Sequence, residues 1–169
     1  MFGDLNRSTV IANSAAFIGL ISLGSWISIP FIPVPFTLQT LFVLLAGANM
    51  KRSAVIPVIL YLVLGLLGLP LYHNGLSGIG VILGPTGGYL LGFIPAALVT
   101  GFSYEYSARF IRLTGLVVSI GLIYACGLIW LTVSTGMGLV AAILVGMLPF
   151  LLGDSIKIFA VYMIAERLL

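Results

Sequence analysis

Charge is scarce in this chain of 169 residues, which holds only seven Lys and Arg and four Asp and Glu, 7% charged against 61% hydrophobic. A soluble domain carries about 25% charged residues. A water-facing globule and a disordered tail are therefore excluded, and a net charge of +3 scattered along the chain excludes a nucleic-acid surface. The single cysteine, Cys126, lies in the apolar run Ile123-Tyr-Ala-Cys-Gly-Leu-Ile. It can form neither an internal disulfide nor a thiolate metal cluster, and packing is its expected role. The single histidine, His73, has no carboxylate or cysteine beside it and is expected to be a solvent-exposed loop residue rather than a metal ligand. Nucleotide-hydrolysing loops place Lys and then Ser or Thr after a glycine-rich turn. Lys51 follows Met50 and Lys157 follows Ile156, so this chain hydrolyses no ATP by that route.

What the chain has in abundance is long apolar runs, with charged residues as punctuation between them. The runs cover about residues 10–31, 34–50, 53–72, 81–103, 113–133 and 138–165. At roughly 20 residues per helical crossing they predict six transmembrane helices in one membrane domain, residues 1–169, an all-α integral membrane protein of multi-pass type in the cell membrane. The first run is too long for a signal peptide and ends in Pro30-Phe-Ile-Pro-Val-Pro rather than a small-residue cleavage site. Arg7, Lys51, Arg52, Arg109, Arg112 and Arg167 all fall on one side of this pattern. The positive-inside rule predicts that this side, with both termini, is cytoplasmic.

Two ionisable groups break the pattern: Asp154 and Lys157 lie inside the last run. A charged group in hydrocarbon costs kilocalories unless a partner or a cavity compensates, so such residues mark candidate functional sites. Counting at about 1.5 Å per residue across a core of about 30 Å puts Asp154 roughly 10 Å and Lys157 roughly 15 Å below the outer boundary. The same count puts Gln39 about 12 Å and Tyr89 about 8 Å below it. Polar groups from three runs thus converge on one level. Prolines 30, 33 and 35 and the segment Gly84-Pro85-Thr86-Gly87-Gly88 interrupt the backbone on the same side. Irregular backbone at membrane depth is tolerated where it lines a cavity, and a pocket opening outward is the economical reading.

Simpler readings stand beside these. Asp154 and Lys157, spaced i,i+3, could pair with each other and stabilise their helix. Gln39, with Thr37 and Thr40, could join helices by hydrogen bonds, and Trp26 fits an interfacial aromatic belt. The loop Leu71-Tyr-His-Asn-Gly-Leu-Ser-Gly is expected to face outward and to be flexible; Asn74 could close over a ligand from it or form an Asn-Gly turn with Gly75. Small residues at four-residue spacing in the first helix, Ala12, Ala16 and then Gly19, permit close helix approach. That approach could be within the bundle or to another membrane subunit.

The strings Pro33-Val-Pro-Phe-Thr-Leu-Gln-Thr-Leu, Gly65-Leu-Leu-Gly-Leu-Pro70, Leu83-Gly-Pro-Thr-Gly-Gly-Tyr-Leu-Leu-Gly92 and Leu148-Pro-Phe-Leu-Leu-Gly-Asp-Ser-Ile-Lys157 resemble the BioY family, the biotin-binding S components of energy-coupling factor (ECF) transporters. The resemblance implies the six-helix S-component fold and capture of biotin from outside. Energy would come from a membrane coupling subunit and two cytoplasmic ATPases. It implies Gln39, Asn74, Tyr89, Asp154 and Lys157 as substrate contacts, and Ala12 and Ala16 as the face that meets the coupling subunit. No cofactor and no metal are implied; biotin is the transported ligand. The segment Ser103-Tyr-Glu-Tyr-Ser-Ala-Arg is more aromatic than the family pattern leads one to expect.

Rival classes have less to stand on. A membrane enzyme needs a nucleophile, a base or a metal cluster, and one Asp-Lys pair with a distant histidine does not supply it. A self-sufficient secondary transporter would couple to ions through intramembrane carboxylates, of which Asp154 alone is available. An S component for another small vitamin is the nearer alternative.

Overall fold

The computed structural model describes residues 7–168. Helix α1 (Arg7–Trp26) leads into a two-stranded hairpin, β1 (Ser28–Ile29) with β2 (Phe36–Thr37), and then α2 (Gln39–Met50) and α3 (Val55–Leu66). A short α4 (Ile79–Leu83) precedes α5 (Gly87–Ser103), α6 (Arg109–Thr135), α7 (Leu139–Gly146) and α8 (Leu151–Leu168). Six of these helices, α1, α2, α3, α5, α6 and α8, build the bundle. The stretches Arg7–Trp26, Gln39–Leu66, Arg109–Thr135 and Leu139–Arg167 are long and apolar enough to cross a membrane, and Gly87–Ser103 is a shorter apolar helix.

The stretch Gln39–Leu66 is two helices, because the chain reverses at Lys51, which has φ 54. The side chains of Gln39 and Tyr61 are hydrogen-bonded to each other, whereas a straight helix would hold residues so far apart by about 33 Å. The helices are shorter than several of the apolar runs, for reasons visible in the residues. Pro30, Pro33 and Pro35 carry no N–H donor, so 27–38 becomes the hairpin, with Ser28 opposite Thr37 and Ile29 opposite Phe36. The Leu38 amide donates to the Gly24 carbonyl at 2.9 Å and fastens this hairpin to the end of α1. Beyond α3 the chain turns at Gly68, φ 105, a conformation that favours glycine. The last apolar run is divided at Leu148–Phe150, around Pro149, into α7 and α8.

Side chains are distributed for a bilayer. Val133, Leu152 and Phe159 project outward, while Gln39, Thr100, Ser119, Asp154 and Lys157 are buried. Helices α5 and α6 make the closest pairing. A Cβ on Gly88 would collide with the Cys126 carbonyl and the Trp130 side chain, and one on Gly92 would stand 3.0 Å from the Ile123 Cα. This small-xxx-small ridge lets the backbones approach where the apolar effect offers no drive between helices. Thr100 and Ser119 hydrogen-bond across the same interface at 2.8 Å.

One end of the bundle gathers the arginines. Arg52 pairs with Glu105 at 2.6 Å and lies 4.3 Å from the centre of the Phe102 ring. Arg112 pairs with Glu166 and lies over Tyr104. The aromatic content of 102–106 therefore serves to seat guanidinium groups. The hairpin and the connection after α3 lie at the other end.

That connection is tied down, contrary to the flexible loop expected from its glycines. The Tyr72 hydroxyl donates to the Leu62 carbonyl at 2.6 Å, and its ring fills the space beside Gly65. Ser25 Oγ donates to the Leu71 carbonyl at 2.6 Å, and Trp26 Nε1 to the Pro70 carbonyl at 3.1 Å.

Candidate functional site

Asp154 and Lys157 lie one turn apart on α8, facing inward, and are 5% and 4% exposed. Lys157 Nζ donates to Asp154 Oδ1 at 2.7 Å, to Thr40 Oγ1 at 2.8 Å and to the Thr37 carbonyl at 2.7 Å. An ammonium has three N–H donors, so all of them are engaged. It also sits 4.0 Å from the centre of the Phe36 ring. The second carboxylate oxygen, Oδ2, accepts from the Tyr124 hydroxyl on α6. The ion pair of the simpler reading exists, and it is the centre of a larger network from α2, α6 and α8. Removing one member of such a buried pair strands the other, at a cost of about 3 to 5 kcal/mol.

A cavity enclosing about 530 Å³, its open mouth included, begins at this network. Gln39, Tyr89, Asp154 and Lys157 all line it. Gln39 opens α2, where Thr37 Oγ1 donates to its Oε1 at 3.2 Å and its own amide nitrogen donates to Tyr61 on α3. It thus also joins two helices, as the simpler reading anticipated. Tyr61 in turn donates to the Leu71 carbonyl at 3.0 Å. Tyr89, in the first turn of α5, is seated between two glycines: its ring fills the space beside Gly127, and its hydroxyl, beside Gly146, donates to that residue's carbonyl at 2.8 Å. Apolar and aromatic walls complete the cavity through Leu90, Phe93 and Ile123. Phe36 and Phe150 stack at 5.8 Å between centroids with planes 8° apart, and Phe31 meets Phe150 edge-on at 6.0 Å.

Asn74 is not among the residues that line the cavity. It is exposed, with φ 56 in the left-handed region, and its Oδ1 accepts from Ser28 Oγ at 2.8 Å. With Gly75 at φ 73 it forms the turn its sequence suggested. Its neighbour His73 reaches the cavity instead. Rather than standing in solvent, His73 is half-buried on the cavity wall, and burial pushes its pKa below the ordinary histidine value. Ala12 and Ala16 lie on an exposed face of α1, away from the cavity. Trp26 is half exposed at the end of the same helix.

Sequence reasoning had not singled out Tyr124, Phe36 or Phe150. Tyr124 left one usable signal, a hydroxyl in the middle of an otherwise apolar run. The two phenylalanines lie beside prolines in segments whose departure from helix brings their rings together. The resulting site has a polar end, with an adjacent anion and cation, and an apolar remainder. It suits a small molecule with donor and acceptor groups at one end and a hydrocarbon body.

Comparison with known proteins agrees with this architecture. The sequence model described as the BioY family matches residues 4–169. The chain is 41% identical over 160 residues to the biotin transporter BioY of Thermotoga maritima, covering 94% of each chain. It is 38% identical over 155 residues to the probable biotin transporter BioY of Pyrococcus horikoshii, covering 91% of this chain and 92% of that one. A crystal structure at 2.1 Å of the S-component for biotin from an ECF-type ABC transporter superposes with a TM-score of 0.86, at 28% identity, covering 97% of this chain and 94% of that one. A multi-pass bundle of six helices, matched in sequence along nearly its whole length and in fold to an S component, this chain belongs to the BioY family.

Proposed function

We propose that this chain is the membrane subunit that captures biotin, in the cavity between α2, α5, α6 and α8, for uptake driven by partner ECF subunits. The observation that carries the proposal is the juxtaposition of Asp154 and Lys157, 2.7 Å apart, at the polar end of an otherwise apolar and aromatic cavity. The ureido ring of biotin presents N–H donors beside a carbonyl acceptor. A carboxylate next to an ammonium is the complementary pattern, so Asp154 accepts from a ureido N–H and Lys157 turns one of its three N–H groups from its protein partners to the ureido oxygen. Gln39 donates to the same carbonyl, and Tyr89 packs on the fused rings. Asn74 takes part only if its loop moves inward over the ligand.

Each buried polar group that a poorer ligand left unpaired would cost about 1 to 3 kcal/mol. Discrimination against near analogues follows. The arginine-rich end of the bundle faces the cytoplasm by the positive-inside rule, the cavity opens to the outside, and both termini are cytoplasmic. The exposed face of α1 with Ala12 and Ala16 docks the membrane coupling subunit, to which two ATPases supply the energy that this chain cannot.

Calorimetric titration of the purified protein with biotin, riboflavin and thiamine tests the reading. Saturable binding of biotin alone supports it. Binding of another vitamin in preference to biotin, or of none, overturns it.

A further inference from the structure

The cavity that the Asp154–Lys157 network begins adjoins a second hollow at its outer wall. Its wall residues His73 and Thr86 also line this second hollow of about 670 Å³, its open mouth included, bounded by Pro33, Leu76, Ser77 and Pro85. The two hollows are therefore neighbours across these two side chains. On the biotin reading, a ligand with its ureido ring at Asp154 and Lys157 leaves its valerate tail, which ends in a carboxylate, for the rest of the cavity, whose lining includes this wall.

The carboxylate needs a donor, and Lys157 is committed at the ureido end, where its N–H groups meet Asp154, Thr40 and the Thr37 carbonyl. Among the described residues no other Lys or Arg lines either hollow. His73 is the remaining group that can become a cation. The bonds that tie down its loop come from Tyr72, Asn74 and the backbone, and among the described residues none engages its imidazole. We infer that His73 is the residue that recognises the ligand's carboxylate, with the Thr86 hydroxyl as a second donor at the same wall. This assignment rests on the biotin reading above.

The consequence is a binding step coupled to proton uptake. Burial holds the His73 pKa below the ordinary histidine value in the free protein, disfavouring the charged ring. An anion against it favours the imidazolium. The bound pKa then exceeds the free one, and affinity rises as pH falls through the bound value. The titratable groups that share its cavity are Tyr89, Tyr124, Asp154 and Lys157, and the outer hollow adds none among the described residues. Helix α1, which packs on the loop, has no charged residue in its last turn, and α4 and the first turn of α5 have none. His73 is thus the group at this wall that can gain charge on binding, a histidine's ordinary value being about 6.5.

The test titrates biotin and biotin amide, which lacks the carboxylate, into wild type, His73→Gln and His73→Ala at about pH 6 and about pH 8, either side of that value. The ratio of the two affinities cancels any effect of pH on the ureido end. In wild type we expect a preference for biotin that grows about tenfold toward the lower pH, a factor equivalent to about 1.4 kcal/mol. His73→Gln and His73→Ala both lose the pH dependence and keep only the smaller preference that Thr86 supplies, each losing more affinity for biotin than for the amide. Equal wild-type affinities, or a parallel loss of both ligands in His73→Ala, overturn the assignment and leave the biotin reading standing. Failure of wild type to bind either ligand overturns both.

Discussion

Tyr124 on α6 donates its hydroxyl to Oδ2 of Asp154, the carboxylate oxygen left free when Lys157 takes Oδ1 at 2.7 Å. One carboxylate is thereby oriented by donors from two helices. Each of its oxygens still has acceptor capacity, so the arrangement fixes the geometry of an acceptor without exhausting it.

Charge at this position should matter to both binding and folding. Asp154→Asn is expected to weaken biotin binding at least tenfold, since hydrogen bonds to charged groups are worth about 1.5 to 3 kcal/mol, and to lower the unfolding temperature, because Lys157 stays buried without its anion. Lys157→Ala is expected to weaken binding and also to lower the unfolding temperature, because Asp154 stays buried without its cation. Calorimetry paired with thermal unfolding separates the two. Unchanged affinity in both variants would remove the polar end from the site.

Tyr124→Phe keeps the ring and deletes only the donor to Asp154. A loss of about 5- to 30-fold in affinity is expected, in line with a net hydrogen-bond contribution of about 1 to 2 kcal/mol. Titration of the variant with biotin checks it, and an affinity within a factor of two of wild type would count against the orienting role.

Glycine at 127 makes room for an aromatic ring. A Cβ there would meet the Tyr89 ring carbons. Gly127→Ala should therefore displace Tyr89 toward the cavity and lower biotin affinity at least tenfold, whereas Tyr89→Phe, which loses only the bond to the Gly146 carbonyl, should be milder. Equal behaviour of the two variants in the same titration would contradict this account of the wall.

How much of this could be read from residues alone differs by element. The helical bundle was legible because charges punctuate the apolar runs, and depth counting grouped Gln39, Tyr89, Asp154 and Lys157, which line one cavity. The hairpin was not legible. Residues 27–38 are as apolar as their neighbours, and only the missing N–H groups of Pro30, Pro33 and Pro35 distinguish them. Tyr124 was invisible because a buried tyrosine in a helix is unremarkable until its partner on another helix is known. His73 was misplaced because burial of a loop residue depends on what the loop packs against, here Ser25, Trp26 and Leu62.

The exposed face of α1 makes a separate prediction. Ala12→Trp or Ala16→Trp should leave biotin binding unchanged, since neither residue lines the cavity, but should block assembly with a coupling subunit. Co-purification with the coupling subunit in normal amounts would argue against the docking role.

The most direct measurement is an experimental structure of the chain with biotin bound. The account predicts the ureido ring in the cavity, within about 3 Å of an Asp154 carboxylate oxygen and of Lys157 Nζ, with the tail running toward His73. Biotin bound elsewhere, or seated with its ureido ring out of reach of both side chains, would contradict it.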